Sequence, residues 1–145
     1  MPEADVDHIY DYPKGYIDDI LKSVKTIAMV GASGDKTKFS YGVLRVLHET
    51  GYEMLPVNPN PNISEIRGLK VFHSLKEIDK PVDMVQVFRR KEELLSVAKE
   101  AIEINAKVLW GQIGVYDDEA AKIATAAGLK VIMNRCPKIE LFRPF

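Results

Sequence analysis

Thr26-Ile27-Ala28-Met29-Val30-Gly31-Ala32-Ser33-Gly34 is an apolar run that breaks into a loop of small residues, with a helix-spaced segment after it. Five residues rich in Ile and Val suit a strand buried on both faces, as in a parallel sheet covered by helices. The loop then lies at that strand's carboxyl end. Gly31 and Gly34 tolerate backbone angles closed to other residues, so successive N–H groups are expected to turn toward one anion. A helix starting at Ser40 or a neighbour would add its positive end at the same place. The loop therefore reads as a phosphate-binding turn. A Gly pair between strand and helix also occurs in any tightly turned α/β unit. In G-x-G-x-x-G register, moreover, Ser33 and Lys36 stand where the second and third glycines belong, so the loop alone does not specify a dinucleotide.

Working outward, Tyr16, Ile17, Ile20, Leu21 and Val24 recur at helical spacing and predict a leading helix on the sheet edge, preceded by a polar extension over residues 1–15. Val43, Leu44, Val46 and Leu47 form one face of the helix after the loop, which Gly51 can end. Tyr52 to Val57 predicts a second strand, cut off by Asn58-Pro59-Asn60-Pro61-Asn62 because proline lacks the N–H and restricts its predecessor. Gly68 to Phe72 reads as a short extended piece, and Ser74-Leu75-Lys76-Glu77 has capping-box spacing for a small helix. Val82 to Phe88, Lys107 to Trp110 and Leu129 to Met133 are the remaining strands. Between them lie helices with Leu94, Leu95, Val97, Ala98, Ala101 and Ile102 inward, and with an acid-rich first turn at Asp117-Asp118-Glu119.

This alternation predicts a Rossmann-like, doubly wound, mainly parallel sheet of about five strands with helices on both faces, because parallel neighbours need crossovers of helix length. The 145 residues are expected to form one domain, with 46% hydrophobic content suited to one proper core. Twenty basic against 21 acidic residues leave a formal net charge of -1, so no overall positive field recommends nucleic acid or an anionic membrane as partner. The first 25 residues hold six acids against three lysines and no continuous apolar core, so they do not read as a secretory signal. One cysteine, Cys136, fits a reducing compartment, and a cytoplasmic location is expected.

Right-handed crossovers bring every parallel strand's carboxyl end to one edge. The Gly31 loop, the Asn58 turn, Arg89-Arg90, the Gln112 loop and Arg135-Cys136 should meet there. A nicotinamide site usually places Asp or Glu near the second strand's end to hold a ribose, and Asn58 stands there instead. N–H groups, two amides, several cations and a thiol suit a long anionic molecule with a neutral arm.

Several segments together resemble the small stand-alone CoA-binding protein family: Val30-Gly31-Ala32-Ser33, Gly51-Tyr52 leading to Pro56-Val57-Asn58-Pro59, Val82-Asp83, Val87-Phe88-Arg89, Trp110-Gly111-Gln112-Ile113-Gly114 and Arg135-Cys136-Pro137. That family is similar to the CoA-binding domain of the succinyl-CoA synthetase alpha subunit and of ADP-forming acyl-CoA synthetases. The resemblance covers roughly residues 20 to 140 and is specific as an ordered set. It implies coenzyme A or acyl-CoA as ligand, with phosphate at the Gly31-to-Ser33 loop, the Asn58-Pro59 turn bordering the adenosine end, and Arg89 and Gln112 lining the crevice. The candidate ligand residues are Gly31, Ala32, Ser33, Lys36, Ser40, Asn58, Pro59, Phe88, Arg89, Gln112, Gly114 and Cys136.

Micromolar affinity corresponds to about 8 kcal/mol, whereas a helix terminus supplies about 0.3 to 1 kcal/mol per charge. Cations near the 3'-phosphate must add to it, and Lys36, Lys38, Arg45, Arg89 and Arg90 are the candidates. Cys136, beside Arg135, is either a small buried hydrophobe or a thiol that forms a mixed disulfide with CoA under oxidation. No nucleophile–base pair, metal cluster or paired acids stand out, and His8, His48 and His73 lack a matching context. No catalytic or metal-ligating residue is assigned. The leading expectation is a CoA-binding module without chemistry of its own. The alternatives are an NAD-binding oxidoreductase or redox sensor, and a subunit of an ADP-forming acyl-CoA ligase. The apolar tail Leu141 to Phe145 is expected to cover the chain's own core or, in a homo-oligomer, a neighbour's.

Overall fold

The computed structural model describes residues 12–142. Most of the extension expected over residues 1–15, with His8, lies outside the described residues, as does the tail's end, Arg143-Pro144-Phe145. In chain order the elements are α1 (Lys14–Ser23), β1 (Thr26–Val30), α2 (Phe39–Thr50), β2 (Glu53–Val57), β3 (Glu65–Ile66), β4 (Leu69–Lys70), β5 (Met84–Val87), α3 (Leu94–Glu103), β6 (Val108–Gly111), α4 (Asp118–Ala126), β7 (Lys130–Ile132) and α5 (Pro137–Leu141). No helix among the described residues is long and apolar enough to cross a membrane.

Five strands form one sheet in the order β2-β1-β5-β6-β7, and every pairing is parallel. The doubly wound Rossmann-like fold follows from how each strand buries both faces. Ala28, Val85, Val87, Leu109 and Val131 point to the side covered by α3 and α4. Ile27, Met29, Met84, Trp110 and Ile132 point to the side covered by α1 and α2. Alternate residues thus feed two separate cores, which is why the strands read as nearly unbroken apolar runs. The chain leaves β1 toward β2 on one side and β5 toward β6 on the other. The order therefore reverses between β1 and β5, and a crevice opens at their carboxyl ends.

Both sheet edges are covered. The Tyr16 hydroxyl accepts from the Val131 N–H at 3.1 Å and donates to its carbonyl at 2.9 Å, while Tyr12 Oη accepts from the Met133 N–H at 2.9 Å. On the opposite edge Phe72 N–H bonds the Pro56 carbonyl at 2.9 Å, and Asn58 N–H bonds the Phe72 carbonyl at 2.9 Å. Pro56 faces that edge, where its missing N–H costs no ladder bond.

Two local expectations change. Ser74 makes no side-chain cap, and only a three-residue 3-10 turn forms over Leu75–Glu77. Glu77 Oε1 instead accepts from the His73 N–H at 3.1 Å, one residue too early for a capping box. The extended piece at Leu69–Lys70 is half of an antiparallel hairpin with Glu65–Ile66, turned by Arg67 at φ 53° and Gly68 at φ 78°.

Candidate functional site

Gly31 follows β1 at the reversal point with φ 91°. A Cβ there would lie 2.2 Å from the Phe88 carbonyl oxygen and 3.2 Å from Arg89 Cδ, so the tips of β1 and β5 close together only because residue 31 has no side chain. The loop beyond is fixed by its own polar side chains. Asp35 N–H donates to Ser33 Oγ at 3.0 Å, and Asp35 Oδ1 accepts from Thr37 N–H at 2.9 Å and from Thr37 Oγ1 at 2.7 Å. These bonds, the Thr37 hydroxyl first, hold the Asp35 carboxyl below its usual range.

The donors that face the crevice differ from those expected. Gly31 and Ala32 N–H groups turn to the Val57 carbonyl, at 3.1 and 3.3 Å. Gly34 keeps a negative φ, so it does not use the freedom expected of it. What the loop leaves for an anion is the start of α2. Lys38 occupies its N-cap without a side-chain bond to the helix, and the Phe39 and Ser40 N–H groups have no protein acceptor among the described residues.

Asn58 binds the loop to the second turn. Its Nδ2 donates to the Ala32 carbonyl at 2.8 Å, and its Oδ1 accepts from the Asn60 N–H at 2.9 Å. A carboxylate could not donate to Ala32, which explains why an amide replaces the acid of nicotinamide sites. Asn58 therefore borders the crevice as a strut, with both ends of its amide engaged.

Two cavities meet at this edge. One, about 480 Å³, is lined by Gly31, Ala32, Ser33, Lys38, Phe39, Ser40, Asn58, Pro59, Phe88 and Arg89. The other, about 790 Å³, is lined by Phe39, Phe88, Arg89, Arg90, Glu93, Gln112, Ile113, Gly114 and Val115. Phe39, Phe88 and Arg89 belong to both. A third cavity of about 390 Å³ lies on the α3 side of the strand tips and also contains Pro59 and Arg89. The first cavity is polar at the helix start. The second presents aromatic and aliphatic surface, with Ile113 56% exposed.

Ten of the twelve candidate ligand residues therefore line the joined cavities, and two do not. Lys36 is exposed in the loop and lines neither cavity; Lys38, at the helix start, does. Cys136 is 1% exposed, inside the apolar cluster under α1 and α2. The segment carrying it reaches the correct edge, since Arg135 N–H bonds the Gly111 carbonyl at 3.2 Å, but the side chain that opens α5 turns inward. Arg135 lies over the Tyr12 ring at 5.3 Å rather than over the cleft. The Cys136 thiol thus faces the core rather than the cleft, and such burial limits the solvent access that thiol–disulfide exchange needs.

Among the cations, Arg45 pairs with Glu49 on the outer face of α2 at 3.3 Å. Arg89 Nε and an Nη both donate to Glu93 Oε1, the first at 2.9 Å, while Arg90 Nε donates to Glu93 Oε2 at 3.2 Å. Hydrogen bonds from Arg89 first, then Arg90, hold the Glu93 carboxyl below its usual range. One carboxylate thus ties both cleft arginines.

Sequence reasoning missed Phe39, Glu93 and Gln86. Phe39 is 57% exposed and tilts against Phe88 with ring centroids 6.3 Å apart. An apolar residue at a helix start, off the stripe of Val43, Leu44 and Leu47, was the available signal. Gln86 is fully buried in β5 and donates through Nε2 to Gln112 Oε1 at 2.9 Å. A lone amide inside Met84-Val85-Gln86-Val87 was its signal.

A family model described as a CoA binding domain matches residues 25–141, and the chain belongs to that family. The uncharacterized protein YneT of Bacillus subtilis (strain 168) is 44% identical over 126 residues, which is 87% of this chain and 92% of that one. The alpha subunit of the ADP-forming acetate–CoA ligase I of Pyrococcus furiosus is 33% identical over 128 residues, 79% of this chain but 28% of the subunit. Little more than a quarter of that ligase subunit is thus matched. A solved structure described as a hypothetical protein from Pyrococcus horikoshii OT3 superposes with a TM-score of 0.86 at 35% identity, covering 91% of this chain and 92% of that one.

Proposed function

We propose that this member of the CoA-binding family binds coenzyme A, or its acyl thioester, across the two joined cavities, as a binding module without chemistry of its own. The observation that carries the reading is their junction at Phe39, Phe88 and Arg89. One side offers Lys38 and helix N–H groups without a protein acceptor among the described residues, and the other offers aromatic and aliphatic walls with one amide. A ligand with a phosphorylated head and a long, nearly neutral arm matches that division. The pyrophosphate lies against Ser33 and the start of α2, the adenosine end lies beside Asn58-Pro59, and the arm passes Phe88 toward Gln112 and Gly114. Arg89, at the junction, serves the phosphates. A cytoplasmic location, where CoA is available, belongs to the same proposal.

Net affinity in the micromolar range requires about 8 kcal/mol, more than a helix terminus contributes. Burial of the arm against Phe39, Phe88 and Ile113 supplies the difference at about 25 cal/mol per Å² of apolar surface. Native mass spectrometry of freshly purified protein tests the reading. A CoA-sized noncovalent adduct, retained when reductant is present, is expected; a bound nicotinamide dinucleotide instead would overturn it.

The likeness to the ligase alpha subunit favours a second reading, in which the chain serves as the CoA-holding part of an ADP-forming acyl-CoA ligase with other subunits. It is tested by assaying ADP-forming turnover with and without cell extract. Absence of turnover in both assays removes it.

A further inference from the structure

Gln86 occupies the middle of β5, the central strand of the sheet, in register with Met29 on one side and Trp110 on the other. It is 0% exposed. Burying an amide there is costly unless its polar atoms are paired, and its in-register neighbours Met29 and Trp110 offer no side-chain acceptor to it among the described residues. Its nitrogen is paired, donating to Gln112 Oε1 at 2.9 Å. Its own oxygen has no hydrogen-bond partner among the described residues. In this arrangement one hydrogen of Gln86 Nε2 is bonded, and one hydrogen and the oxygen have no protein partner among the described residues; turning both amides over would pair the oxygen and strand both hydrogens.

Gln112 is 5% exposed and lines the larger cavity. With its oxygen engaged by Gln86, what it has left to offer the cleft is its NH₂ group, which has no protein acceptor among the described residues. We propose that Gln86 is a positioning residue: it holds the Gln112 amide with its donor toward the larger cavity, set for a carbonyl oxygen on the neutral arm of the ligand. An amide or thioester carbonyl is the matching class, and an N–H group at the same place is rejected. This inference rests on the CoA reading above, and without Gln86 the Gln112 amide is free to present either end.

Calorimetry on the full chain separates the two claims. CoA and adenosine 3',5'-bisphosphate, which keeps the phosphorylated head but lacks the arm, are titrated into the wild type and into Gln86→Met, a substitution of similar length. Gln86→Met is expected to weaken CoA about tenfold and to leave the bisphosphate within about twofold of wild type. Gln112→Met should match it, and the double variant should lose no more than either alone. Equal weakening of both ligands, or unchanged CoA affinity, overturns the positioning role while leaving the CoA reading standing; failure of the wild type to bind CoA overturns that reading and this one with it. Should Gln86→Met not fold, the side-chain NH₂ resonances of Gln112 in the wild type still decide. They are expected to shift on adding CoA and to stay in place with the bisphosphate, and an unmoved signal with CoA overturns the proposal.

Discussion

Gly31 and Phe88 meet backbone to backbone: a Cβ on residue 31 would come within 2.2 Å of the Phe88 carbonyl oxygen. They directly follow β1 and β5, the neighbouring strands whose connections run in opposite directions, so this contact sets the width of the crevice. Gly31→Ala must push the two strand tips apart while holding a left-handed backbone. A loss of about 2 kcal/mol in stability and at least about tenfold in CoA affinity is expected, read by urea melts and calorimetry. Gly34→Ala, whose Cβ would meet nothing closer than Ile66 at 3.8 Å, should leave CoA affinity within about twofold of wild type.

Glu93 holds both Arg89 and Arg90 through its two oxygens, so an anion entering the cleft would have to compete with it for them. Glu93→Gln removes the negative charge and releases the guanidinium groups. CoA binding is expected to tighten about threefold at low salt, and to depend more steeply on salt than in the wild type. Weaker binding in this variant would mean that the carboxylate serves to aim Arg89 rather than to restrain it.

Asp83 ties the start of β1 to β5. Its Oδ2 accepts from the Lys25 N–H at 2.8 Å and the Thr26 N–H at 3.2 Å, with Lys107 Nζ 3.6 Å from Oδ1. Burial pushes the carboxyl up, but the two backbone donors and Lys107 together outweigh it and hold it below its ordinary range. A depressed folded-state value means stability that is fully present above the unfolded value, about pH 4, and lost as pH falls through the folded one. Asp83→Asn should cost about 2 kcal/mol at pH 7, and the gap from wild type should narrow in acid. Denaturant melts at pH 7 and below pH 4 check both.

Cys136 lies in the core at 1% exposure. A thiol-reactive dye should label the native chain at least about a hundredfold more slowly than the urea-unfolded chain. Incubation with CoA disulfide should leave the intact mass unchanged. Rapid native labelling would contradict the placement of this side chain.

The strands were legible because burial on both faces leaves unbroken apolar runs, and Thr26–Val30 was read with the bounds it has in the structure. The common edge was legible too, since parallel strands joined by right-handed crossovers share it whatever their order. Side-chain direction at that edge was not. Cys136 and Gln112 both follow strands at the same end, yet one turns into the core and the other lines the cleft. That choice depends on tertiary bonds such as Arg135 N–H to the Gly111 carbonyl. The hairpin at Glu65–Lys70 escaped because Arg67, a residue that seldom takes positive φ, occupies its turn. Backbone pairing was equally hidden: only the fold reveals that Val57 consumes the Gly31 and Ala32 donors, so that the N–H groups this loop leaves without a protein acceptor among the described residues are those at the start of α2.

Calorimetric titration of the wild-type chain with CoA and, separately, with NAD shows which of the two ligands the cleft takes. CoA is expected to bind with a Kd of about 1 μM and NAD at least about tenfold more weakly, because Asn58 spends both ends of its amide on the backbone and has no carboxylate to offer a ribose. NAD binding as tightly as CoA, or an absence of CoA binding, would contradict that expectation.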